Sequence, residues 1–188
     1  MAAVLPGGAA GPAAVAVLVP LAHAGDLRPA GALTAAALAA LPAGSTAGVS
    51  AAGHGTGALA QQWQQARASA RVAAAVPRLS PVAHWGELGA WRTAALLPGP
   101  DPAVVPLLAE PLLAGTAEVW LDCAGSASRA AAALGVHRQT LYSRLARIAA
   151  LTGPDPADGE HRLLLHASLE AARLGGDAPV PRTGGRGR

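Results

Sequence analysis

The chain has 188 residues, room for one ordinary domain or two small ones; 52% are hydrophobic, yet only 3% are aromatic and Phe is absent. Its formal net charge is only +3 and every basic residue is Arg, so any attraction to nucleic acid must come from a local patch and not from a field over the whole surface. The single cysteine, Cys123, excludes an intrachain disulfide and fits a reducing compartment, where it reads as a small buried hydrophobe.

The first 25 residues carry no formal charge, and no Lys or Arg precedes Arg28. A secretory leader needs a basic start and an unbroken apolar core, and here Pro6, Pro12 and Pro20 interrupt the run. No stretch is long and apolar enough to span a membrane without such breakers. The expectation is a soluble, cytoplasmic protein.

Ala14–Val19 is an apolar run ending at Pro20, as a buried strand would be. Residues 30–41 have the composition of a helix, and residues 45–51 suggest a second strand. Residues 59–76 give the clearest helix. Leu59, Trp63, Ala66, Ala70 and Ala73 face inward, Gln61, Gln65, Arg67 and Arg71 face water, and Pro77 ends it. Residues 81–88 read as a third strand and 89–97 as a short helix. Strands alternating with helices predict an α/β layer over residues 1–98. The Pro-rich run from Pro98 to Pro102 predicts a linker over residues 99–111.

Within the first unit the acids Asp26, Glu87 and Asp101 are isolated, so neither a metal cluster nor a catalytic group is expected. Gly53-His54-Gly55-Thr56-Gly57 has the glycines of a phosphate loop but neither its spacing nor its Lys-Ser/Thr, and it reads as a connection. Trp63, Trp85, Trp91 and Trp120 all fall in periodic apolar segments and read as core fillers. His161 and His166 are five apart, on different helix faces, which argues against a zinc site.

The most informative stretch follows a helix expected at residues 116–123. Residues 126–134 form a short Ala-rich helix, Gly135 provides a left-handed stop, and a second helix runs over residues 138–151. In that helix Leu141, Leu145 and Ile148 form one apolar stripe, with Gln139, Ser143 and Arg147 on the opposite side. Thr140, Tyr142 and Arg144 flank the stripe, and Arg138 opens the first turn. From Arg129 to Arg147 every charged residue is Arg. This is the layout of a helix-turn-helix, whose second helix enters the DNA major groove. On these residues alone, an Ala-rich hairpin with solvated arginines remains the alternative.

Asp158 then reads as the N-cap of a last helix, with Glu160 in its first turn. Leu163, Leu164, Leu165, Leu169 and Ala172 give that helix a broad apolar surface. One side is expected to pack on Leu141, Leu145 and Ile148, and the remainder to meet a second subunit or the upstream domain. Residues 175–188 are rich in Gly, Pro and Arg and read as a disordered tail.

Residues 112–174 resemble the C-terminal DNA-binding domain of PucR-type (CdaR-type) bacterial regulators. The resemblance runs through Val136-His137-Arg138-Gln139-Thr140-Leu141-Tyr142-Ser143-Arg144-Leu145, then Arg147-Ile148, Leu151-Thr152-Gly153 and the helix from Asp158 to His166. Ser143 stands where that family usually has Tyr, and Gln139 where Asn is common; both changes bear on the operator more than on the fold. Such regulators often carry a degenerate GGDEF-like domain just upstream. The run Ala14–Val19, the loop 50–57, the helix 58–76 and the segment Val82–Gly89 are similar to part of one. An active diguanylate cyclase of that fold needs a Gly-Gly-Asp/Glu-Glu-Phe turn, and none is present here.

The resulting expectation is an α+β chain: an incomplete GGDEF-like layer over residues 1–98, a linker over 99–111, an all-α helix-turn-helix domain over 112–174, and a tail. Its partner is double-stranded DNA, met as a homodimer, with no cofactor and no metal; the effector is open. Arg138 is the candidate for reading a guanine edge, with His137, Gln139 and Ser143 as further base contacts. Thr140, Arg144, Arg147 and Arg129 are expected to hold phosphates, and Tyr142 to do either. The alternative is a regulatory or dimerisation module that does not bind DNA.

Overall fold

The computed structural model of the protein describes residues 2–5 and 14–175, which form two compact units dividing between Arg92 and Thr93. The tail expected beyond residue 175 lies outside the described residues.

In the first unit β1 (Ala2–Leu5) and β2 (Ala14–Val17) pair antiparallel, with Ala2 opposite Val17. Val15 and Val17 are 46% and 41% exposed, so β2 is not the buried strand its apolar run predicts. Among the described residues it joins no wider sheet. Instead β3 (Ala47–Val49) and β4 (Val82–His84) pair parallel, Ala47 opposite Val82 and Val49 opposite His84. The expected single layer is therefore two separate two-stranded pieces. Helix α1 (Arg28–Ala39) precedes β3, α2 (Leu59–Ala75) crosses from β3 to β4 as a βαβ unit requires, and α3 (Trp91–Leu96) spans the division between the units.

Helix α2 is rotated from the face its Leu and Trp residues suggest: Ala68, Ser69, Val72 and Ala73 are buried. A Cβ at Gly48 would lie 2.0 Å from the Ala66 carbonyl oxygen and 2.4 Å from the Ala70 nitrogen, so β3 and α2 touch backbone to backbone. The residues that meet Gly48 are small: Ala66, Ser69 and Ala70. Gln65, expected to face water, is half-buried: its Oε1 accepts from the Ala51 N–H (3.1 Å), while Gln62 Nε2 donates to the Ala51 carbonyl (3.2 Å). Trp63 is left half-buried, with the Arg67 guanidinium 5.9 Å above its ring. Trp85 is also half-buried, so only Trp91 and Trp120 of the four are core residues.

The second unit is all helical: α4 (Val105–Leu108), α5 (Pro111–Asp122), α6 (Ala127–Leu134), α7 (Arg138–Thr152) and α8 (Gly159–Gly175). Its core gathers Leu113, Ala117, Trp120, Leu121, Ala130, Leu141, Leu145, Ile148, Leu165 and Leu169. Val104 and Leu107, within the stretch expected to be a linker, are fully buried in the same core. The Asp101 N–H donates to Ser168 Oγ of α8 at 3.1 Å. Residues 99–111 are thus part of the domain. Two further prolines of that stretch, Pro106 and Pro111, occupy first-turn positions in α4 and α5, where the missing N–H costs nothing. For the same reason α5 starts at Pro111, ahead of the predicted residue 116.

Helix α8 packs mainly on α5, rather than on α7 as expected. Buried Trp120 of α5 also fixes the loop before α8, its Nε1 donating to the Pro156 carbonyl at 3.3 Å. Asp158 caps α8 as its sequence position predicts, Oδ1 accepting from the His161 N–H at 3.0 Å. That bond holds the Asp158 carboxyl below its ordinary range.

Candidate nucleic-acid interface

The turn from α6 to α7 is set by backbone geometry. Gly135 has φ 65°, its N–H donates to Ala132, and the Val136 N–H reaches back to Ala131. This is a Schellman stop, with Val136 packing on the core behind it. Ala130 and Ala131, both buried, give α6 a flat face where it meets α5 and α7. The entry to α6 is tighter. Ala124 and Gly125 have φ 50° and 75°, and their N–H groups return to Leu121 and Trp120 in the same pattern. An L-residue in this conformation is strained, so Ala124 holds a position made for glycine.

Helix α7 buries Leu141, Leu145, Ile148 and Thr152, as its stripe predicts. The remaining circumference is open: Arg138, Gln139, Thr140, Tyr142, Ser143 and Arg147 are all exposed, Tyr142 by 55%. The structure therefore gathers six of the nine candidate residues on one accessible surface of one helix. Neither α6 nor α7 contains an acid, so nothing on these two helices cancels the arginines.

The other three candidates have additional contacts. His137 is the N-cap of α7: its carbonyl accepts from the Leu141 N–H at 3.1 Å, and its Nδ1 accepts from the Gln139 N–H at 3.3 Å. Arg144 is half-buried and donates to Thr116 Oγ1 of α5 at 3.4 Å, while Thr116 donates to the Leu112 carbonyl at 2.8 Å. Arg129 is exposed but donates to the Cys123 carbonyl at 2.6 Å, closing the end of α5. Thr116 is absent from the sequence-derived set. Its only signal is a hydroxyl in a mostly apolar helix, and the bond it accepts spans 28 positions.

Behind this surface, α5 and α8 are tied by a charged network. Arg173 pairs with Glu118 and, at 3.3 Å, with Glu170; Glu170 also lies 3.5 Å from His166 Nε2. Burial pushes the Glu118 carboxyl up, partly offset by the Arg173 guanidinium. The Glu170 carboxylate bonds to His166 and holds its imidazole above the ordinary value, against the effect of burial.

Among the described residues no group of three or more His, Cys, Asp or Glu side chains could hold a metal ion, and no helix is long and apolar enough to cross a membrane. In the first unit the shallow hollow lined by Asp26, Arg28, His84 and Glu87 is open, and Asp26 is already paired with Arg28 at 2.8 Å.

Two helices crossing at a Schellman turn, with the second exposed along a cationic face, define a helix-turn-helix domain. Residues 113–171 match the family model described as the PucR C-terminal helix-turn-helix domain, a stretch well short of half the chain. The match starts inside α5 and ends inside α8, so it takes in the whole α5–α8 core. No curated protein and no solved structure matches the chain.

Proposed function

We propose that the chain is a sequence-specific DNA-binding transcriptional regulator that docks α7 in the major groove. The observation that carries this reading is the exposed surface of α7, where Gln139, Ser143 and Arg147 lie opposite the buried stripe and Arg138 is exposed in the first turn. The family match over the same helices supports it. A guanidinium in the first turn suits Arg138 to bidentate pairing with guanine O6 and N7. His137, Gln139 and Ser143 are within the same end or face for further base contacts. Thr140 and Arg147 hold phosphates and fix register, and Tyr142 serves either role. Arg129 and Arg144 each spend one donor inside the protein, and a guanidinium has four more for phosphate.

A single helix-turn-helix reads few base pairs, so the active species is a homodimer on two half-sites about one helical turn apart. The N-terminal unit is read as a non-catalytic GGDEF-like regulatory domain; its β3–α2–β4 crossover supports that assignment. A cytoplasmic location follows from a DNA partner.

The test is a titration of the full chain against duplexes recovered from a randomised pool, at two salt concentrations. Each phosphate contact contributes a slope of about −0.9 in log affinity against log salt. Binding that is tight for the recovered duplex and salt-steep supports the reading. No preference over random duplex at either salt ends it.

A further inference from the structure

We infer that His137 is a base-reading donor of fixed polarity: it caps α7 with Nδ1 and presents Nε2–H to an acceptor on a base edge. The inference rests on the DNA-binding reading above and specifies one of its contacts.

The cap fixes the chemistry of the ring. His137 has extended backbone (φ −70°, ψ 149°), and its Nδ1 accepts from the Gln139 N–H, the second residue of α7. An N-cap acceptor satisfies one of the orphan amides at a helix start. A ring nitrogen can accept only if it carries no proton. A neutral imidazole that accepts at Nδ1 has its proton on Nε2, and a doubly protonated ring cannot cap at all. The tautomer is thus assigned by the hydrogen bond.

Nε2 lies on the ring edge away from the capped amide, and the side chain is exposed beside Arg138 at the leading end of α7. In a helix-turn-helix the N-terminal residues of the second helix meet the base edges. A lone N–H donor there can donate to guanine N7 or O6, adenine N7 or thymine O4. It finds no acceptor on cytosine, which offers only its amino group in the major groove. The Gln139 amide and the Arg138 guanidinium do not have this restriction imposed by the backbone. The serine, threonine, aspartate or asparagine more usual at an N-cap would satisfy the same amide without a ring reaching beyond it. Histidine does both.

The experiment separates the cap from the donor. The full chain, His137→Ser and His137→Ala are each used to select duplexes from a randomised pool, and each is melted. Serine keeps the cap and loses the outward donor. The wild type is expected to enrich a site with one position from which cytosine is excluded on the contacted strand. His137→Ser is expected to melt with the wild type, lose preference at that position alone, and bind the wild-type site about two- to tenfold more weakly. His137→Ala is expected to lose the same preference and melt about 4 °C lower. Identical enrichment by wild type and His137→Ser overturns the inference and leaves a cap only. A loss spread evenly over all sequences also overturns it, because that is phosphate contact. Nitrogen NMR of the free chain at about pH 8 reads the tautomer independently of DNA and of any variant's folding. An Nε2–H signal is expected, and an Nδ1–H signal overturns the assignment. Selection of no sequence at all by the wild type, with an Nε2–H tautomer observed, is the failure of the DNA-binding reading and takes this contact with it.

Discussion

Arg144 of α7 donates to the hydroxyl of Thr116 on α5, at 3.4 Å and across 28 positions of chain. One of the arginines that sequence assigns to DNA phosphate therefore also orients the helix that carries the others. Thr116→Val removes the acceptor and keeps the shape. It is expected to lower stability by about 1 kcal/mol and to weaken binding of every duplex by a similar factor, without altering base preference. Chemical denaturation and duplex titration of the same sample check this. A changed consensus would mean that the bond does more than hold α7.

Arg138 and Arg147 are both exposed on α7 but stand at different points along it. Arg138→Ala is expected to cost about 1–3 kcal/mol on the preferred duplex and to relax one base position. Arg147→Ala is expected to weaken all duplexes alike and to flatten the salt slope by about one contact. Titrations at two salt concentrations with matched and randomised duplexes distinguish the two. Equal, sequence-independent losses would remove the division of labour.

The two turns around α6 invite opposite substitutions. A Cβ at Gly135 would meet nothing within 4 Å, so the whole penalty of Gly135→Val comes from φ 65° and not from a clash. The loss is expected to exceed about 1 kcal/mol. Ala124 already bears that penalty at φ 50°, and Ala124→Gly is expected to raise stability by about 0.5–1 kcal/mol. Denaturant midpoints of the two variants should move in opposite directions. Movement in the same direction would contradict the left-handed assignment of one of the turns.

Much of this domain is legible in the sequence, and the reasons are local. Gly135 marks a positive φ, Leu141, Leu145 and Ile148 repeat at helical spacing, and Asp158 precedes a helix it can cap; each signal lies within a few residues of what it determines. The misread parts depend on distant partners. Gly48 looks like an ordinary small residue until α2 is laid across it, backbone to backbone, at Ala66 and Ala70. Val104 and Leu107 lie among prolines, and only the completed core shows that the segment belongs to the helical unit. On the site itself, sequence finds the exposed cations but not the internal acceptors, Thr116 Oγ1 and the Cys123 carbonyl, that occupy Arg144 and Arg129.

The α5–α8 network implies a pH dependence of definite sign. His166 is held above the 6.5 of a free imidazole by Glu170, so its favourable contribution is complete below about that pH and is lost as pH rises through the raised folded value. Glu118 is likewise raised above 4.5, chiefly by burial, so its window at lower pH has the same sign: stability falls as pH increases through it. His166→Gln is expected to abolish the upper decline and leave the lower one. Melting of the full chain and the variant between about pH 5 and 9 checks this. A wild-type decline that survives the substitution would assign the upper window to another group.

The bond from the Asp101 N–H to Ser168 Oγ decides where the polypeptide can be divided. A proteolytic or engineered cut just before Pro111 would spare every residue of α5–α8, yet it would strip away Val104 and Leu107, leave a trough in the apolar interior, and orphan the serine hydroxyl on the last helix. A cut ahead of Asp101 keeps the plug in place. The smallest autonomous piece of the C-terminal half is therefore longer at its front than the family signature starting at residue 113, and its first segment is a stopper rather than a tether.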